Sequence, residues 1–110
     1  MISVTYYRDL NRLVMEGHAN AGEKGQDPVC AAASMLAYTL AANVEELTET
    51  GKVRDPLISM KEGDTVIACN PLRRYRTVVT SVFDSVILGF QVLAMKYPKN
   101  ISFKIFRGRG

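Results

Sequence analysis

From Asp27-Pro28 onward the chain commits to a long helix. Ala33, Leu36, Leu40, Val44 and Leu47 recur at steps of three and four, which draws one apolar stripe along a helix. Asp caps a helix by accepting a backbone N–H, and Pro suits the first helical position, whose N–H has no helical partner. Gly51 supplies the stop just past the end, so the helix is expected from Pro28 to about Thr50. A helix this long with one apolar side has to lay that side on a second layer. The fold is therefore constrained by what the remaining segments offer as that layer.

They offer strands. "ISVTYY" alternates Ile2, Val4 and Tyr6 against Ser3, Thr5 and Tyr7, and alternation resumes over residues 12–18 after the turn-like "RDLN". These two segments read as a hairpin, with His18 at the end of its second strand. "PLISM" and "DTVIACN" flank "KEG", a second hairpin with Gly63 in the turn. Asn70-Pro71 repeats the Asp27-Pro28 device and predicts a second helix over 72–97, with Val79, Phe83, Val86, Phe90, Leu93 and Tyr97 as its stripe and Pro98 as its end. "ISFKIF" is a last strand, and "RGRG" a frayed tail. The order ββαββαβ predicts an α+β domain: a mostly antiparallel or mixed five-stranded sheet packed with two helices, one domain over residues 1–110. Strand order is not legible in this pattern.

Composition narrows the function classes. A chain of 110 residues, 47% hydrophobic, builds one core. The most apolar run, Val78 to Met95, is broken by Thr80, Ser81, Asp84, Ser85 and Gln91, so no membrane span or membrane partner is expected. "MISVTYYRDL" lacks a basic start before an apolar stretch, which argues against export. Two cysteines and one histidine fall short of a zinc ligand set, and no metal is expected. The net charge of +3 is mild, but Arg73, Arg74 and Arg76 cluster, and Lys96, Lys99, Lys104, Arg107 and Arg109 load the C-terminal end. Such clusters are usually solvated faces; an RNA or acidic partner is the sharper alternative, and direct nucleic-acid binding stays open.

The chemistry concentrates in "EGHANAGEKGQDPVCAAAS", residues 16–34, which holds the single histidine and one cysteine on either side of a glycine-bearing loop. Cys30 falls in the first turn of the predicted helix, where the dipole and unpaired N–H groups favour a thiolate. His18 at a strand end is placed to take a proton from that thiol, and N–H groups at the helix start are candidates for an oxyanion hole. The plain readings stand beside these: Cys30 as a small buried residue, His18 as an ordinary surface group. Asp27 either caps the helix or orients His18, and Ser34, one turn after Cys30, either lines the site or bonds to the helix backbone. Gly22 and Gly25 serve as lid hinges or as ordinary loop glycines. Cys69, in "VIACNP", reads as a buried hydrophobe.

The motif Gly17-His18-Ala19, a short glycine-containing loop, then Gly25, Asp27, Val29, Cys30, Ala31, Ala32 and Ser34 resembles the ribosomal-processing cysteine protease family Prp. Element order and chain length extend the resemblance over the whole domain. It implies Cys30 as nucleophile and His18 as general base and proton donor. Gly17, Ala19, Gly22, Gly25, Asp27 and Ser34 would be substrate-binding or supporting residues. It implies no cofactor, a cytoplasmic and homodimeric bacterial enzyme, and a loop that orders over the bound peptide. The implied substrate is the short N-terminal extension of a large-subunit ribosomal protein precursor, number twenty-seven, cut after an aromatic residue. Pro28 departs from the family pattern, where an aliphatic residue is expected. The rival class is a non-catalytic ribosome- or RNA-associated binding module. A thiol redox role is weakened by the lack of a CxxC pair.

Overall fold

The computed structural model describes residues 1–18 and 27–108. Strand β1 (Ile2–Tyr7) and strand β2 (Arg12–Glu16) form the expected antiparallel hairpin, with Ile2, Val4, Tyr6 and Leu13 buried on one face. The turn between them is a 3-10 turn over Arg8–Leu10, closed by Asn11 at φ +46°. Helix α1 (Pro28–Glu49) follows, then β3 (Val53–Lys61), β4 (Asp64–Pro71), helix α2 (Arg76–Lys96) and β5 (Ile101–Phe106). The sheet runs β3-β4-β2-β1-β5 and is mixed, because β5 pairs parallel to β1 while every other pair is antiparallel. The α+β architecture agrees with the reading of the sequence.

Each helix end has a local cause. Asp27 Oδ1 accepts from the N–H groups of Val29 (2.9 Å) and Cys30 (3.0 Å), with Pro28 as the first helical residue. At the other end Lys52 N–H donates to the Leu47 carbonyl and Gly51 N–H to the Thr48 carbonyl, with Gly51 at φ +72°. That pair of bonds is a Schellman motif, and it needs a residue at ease in the left-handed region at 51.

The start of α2 corrects the sequence reading. Asn70-Pro71 opens no helix: β4 runs through Pro71, which pairs with Val53 beyond a bulge that Asp55 (φ +51°) and Pro56 form opposite Cys69. Asn70 Nδ2 donates to Asp55 Oδ2 at 3.1 Å instead of capping, and Leu72 N–H donates to the Lys52 carbonyl. A 3-10 turn over Arg73–Tyr75 intervenes, and α2 begins at Arg76 without a side-chain cap. Arg74 and Lys52 lie over the Tyr75 ring at 5.2 Å and 5.6 Å. Tyr97 ends the helix as an exposed C-cap residue and leaves the predicted stripe.

Both helices pack on one face of the sheet and on each other. Val29, Ala33, Ala37, Leu40 and Val44 of α1 meet Val79, Phe83, Val86 and Phe90 of α2 in the core over β1, β2 and β4. Tyr6 and Phe83 rings stack at 6.0 Å, and burying a side chain of this size contributes roughly 1.5–3 kcal/mol. By length and composition the helical stretch Arg73–Lys96 is apolar enough to cross a membrane; in this fold Val79, Phe83 and Phe90 are enclosed in the core while Val78, Leu88, Val92 and Met95 are exposed. The other face of the sheet carries no helix, so polar residues such as Ser3, Arg12, Glu16 and Lys104 alternate with the buried ones.

Candidate functional site

His18 stands at the C-terminal end of β2, in the middle of the sheet. The ladder with β4 ends at the Glu16–Asp64 pair, and Gly17 N–H continues it by donating to the Gly63 carbonyl at 3.0 Å. Gly17 sits at φ +90°, and a Cβ there would run into the carbonyl oxygen of Met1. Both facts demand glycine immediately before the histidine. His18 is exposed, and its ring lies against Gly63 of the β3–β4 turn: a Cβ on Gly63 would stand 3.0 Å from Nε2 and 3.5 Å from Cε1. Gly63 is itself at φ +73°. The sequence named this glycine as a turn residue only; its place beside the imidazole follows from β4 lying next to β2.

Cys30 is the third residue of α1, half-buried and packed against the edge of the core. The helix dipole favours its thiolate, while the capping carboxylate of Asp27 at the same terminus works against it. The cap also corrects one expectation. Pro28 has no N–H, Val29 and Cys30 donate to Asp27 Oδ1, and Ala31 donates to the Asp27 carbonyl at 3.0 Å. The first turn therefore has no spare N–H for an oxyanion. Asp27 acts as the cap. Asp27→Ala is expected to destabilise the domain by about 1 kcal/mol, read as a lower midpoint in urea unfolding.

Ser34 is half-buried one turn after Cys30, on the same side of α1. Ala19 and the two glycines read as lid hinges, Gly22 and Gly25, lie outside the described residues. Cys69 is buried within β4, and burial pushes its thiol up to about 11, which keeps it protonated at neutral pH. Cys30 and Cys69 are not joined by a disulfide. Cys69 is thus no rival nucleophile. Among the described residues, no three His, Cys, Asp or Glu side chains gather in a metal-holding group.

The fold recurs in solved structures. A ribosomal processing protease Prp from S. aureus, in complex with a covalently linked product peptide, superposes with a TM-score of 0.75 at 23% identity, covering 96% of this chain and 100% of that one. The S. aureus protease with a substrate peptide gives 0.68 at 23% identity over the same shares. SMU.848 from Streptococcus mutans gives 0.65 at 24%, covering 96% of this chain and 92% of that one. These likenesses establish the fold. Among curated proteins compared by sequence, none matches. The model of the family described as cysteine protease Prp matches residues 1–102, a span that includes both His18 and Cys30. This chain belongs to the Prp family of cysteine proteases.

Proposed function

We propose that the protein is an endopeptidase that removes the N-terminal extension of a ribosomal protein precursor, with Cys30 as nucleophile and His18 as proton shuttle. The observation that carries this reading is Cys30 in the first turn of α1 in a chain of this protease family. In the reaction His18 takes the thiol proton and the sulfur attacks the scissile carbonyl. The C–N bond breaks as His18 protonates the departing amine, leaving a thioester on Cys30. Water, deprotonated by His18, then hydrolyses the thioester and restores the thiol. The S. aureus enzyme has been seen with substrate and product peptides, which supports a peptide as the substrate class here. By the family resemblance, that peptide is the extension of large-subunit protein twenty-seven, cut after an aromatic residue, in the cytoplasm of a bacterium.

The test is a peptide spanning such an extension, incubated with the protein and with Cys30→Ala and His18→Ala, and read by mass spectrometry. One cut after the aromatic residue is expected, with either substitution lowering its rate by about 10³-fold or more. A cut that survives Cys30→Ala, or no cut by folded wild-type protein, would refute the assignment.

The homodimer expected from the resemblance has a suitable surface on α2. Leu88, Val92 and Met95 are exposed, Met95 to 80%, and with Phe103 of β5 they line an open groove of about 480 Å³. A dimer closing this face predicts a doubled mass by light scattering at micromolar concentration. Leu88→Asp with Met95→Asp should return it to the monomer mass.

A further inference from the structure

The face of the sheet opposite the helices presents a second surface, remote from His18. Register places Phe106, Tyr7, Arg12, Ala68 and Leu57 in one row across all five strands. The Tyr7 and Phe106 rings stack nearly parallel and offset, centroids 5.4 Å apart and 11° from parallel. Phe106 is 51% exposed, and β5 is the sheet's edge, so the outer face of its ring has no neighbouring strand.

Lys104 on β5 and Arg12 on β2 flank this ring column, and Arg54 on β3 continues the cations to the far edge of the same face, all exposed. Arg107 follows at the rim. Of the nearby carboxylates, Asp84 is paired with Arg8 in a two-bond ion pair, Asp55 accepts from the neutral Asn70 amide and keeps its charge, and Asp9 sits beside Gly108 at the margin. Glu16 and Asp64 lie at the opposite, His18 end of the same face. On balance the ring end is basic, with Arg12, Arg54, Lys104 and Arg107 against Asp9 and Asp55, and the His18 end carries Glu16 and Asp64.

We infer that this half of the open sheet face binds single-stranded nucleic acid. Bases extend the Tyr7–Phe106 stack from the sheet edge, and Lys104, Arg12 and Arg54 hold phosphates along the nucleic-acid backbone. Stacked aromatic side chains bordered by cations suit a single strand, whose bases are free to stack, and not a duplex. The row spans about 19 Å at the spacing of neighbouring strands, enough for a few nucleotides. The cations that the protease reading leaves unused acquire a role.

The experiment is fluorescence anisotropy of a labelled ten-nucleotide uridine strand against the full protein, with a duplex and polyglutamate as comparison probes. Saturable binding to the single strand is expected, weakening about 20-fold between 50 and 200 mM salt if three phosphates are neutralised. Phe106→Ala and Phe106→Leu should both weaken it about 10-fold, since leucine keeps the contact with Tyr7 but not the aromatic face. Lys104→Ala should flatten the salt dependence. Peptide cleavage by these variants should stay at the wild-type rate, which separates this surface from the proteolytic site. No saturable binding, equal affinity for duplex or polyglutamate, or wild-type affinity in Phe106→Leu would each overturn the inference.

Discussion

Gly17→Ala should lower peptide turnover by about 100-fold and the stability of the domain by about 3 kcal/mol. Two independent features oppose any side chain at 17. The backbone is at φ +90°, where an L-residue is strained, and the new Cβ would enter the carbonyl oxygen of Met1, a backbone atom with no freedom to turn aside. Relief requires β2 to separate from the start of β1, and β1 is fixed there by Ile2 N–H donating to the Asn100 carbonyl. The next residue is His18, so whatever the backbone does at 17 is delivered to the imidazole. A displacement of about 1 Å in a reacting group costs on the order of 100-fold. The check is urea unfolding beside steady-state kinetics. Wild-type turnover in a folded Gly17→Ala protein would show that His18 is held by something other than this backbone.

The parts of the fold governed by local chemistry were legible in the sequence. Asp27-Pro28 opens a helix because the Asp27 carboxylate reaches its own first turn, and Gly51 ends it because a Schellman turn needs the left-handed region. The strands were legible because Ile2, Val4 and Tyr6 alternate with exposed neighbours. Asn70-Pro71 looks the same on paper and behaves otherwise, because its fate depends on a partner 15 residues away: Asp55 takes the Asn70 amide, and Lys52 and Val53 hold the segment in the sheet. The same limit applies to the site. His18 and Cys30 stand out by residue type and by their places at a strand end and a helix start. Gly63 does not, since its contact with His18 exists only because β4 lies between β2 and β3. The occupied N–H groups at the helix start were equally hidden, because the cap that justified the helix also consumes the donors proposed for an oxyanion.

Gly63 therefore yields the most discriminating substitution. A Cβ at 63 would lie 3.0 Å from His18 Nε2, and the ring would have to move by a few tenths of an ångström or rotate away. Backbone strain accompanies the clash, since Gly63 is at φ +73°, and strain alone could disturb activity through stability. Gly51 separates the two causes: its φ is +72°, nearly identical, and nothing lies within 4 Å of its Cβ position. Alanine in the left-handed region costs about 1–2 kcal/mol at either glycine. Gly51→Ala and Gly63→Ala should therefore melt at similarly reduced temperatures. Only Gly63→Ala should lose turnover, by about 10- to 100-fold in kcat, because only there does the added Cβ meet the imidazole. Equal activities in the two variants would mean that the β3–β4 turn is a bystander to His18. Unequal activities at equal stability would make it the wall that holds the imidazole in place.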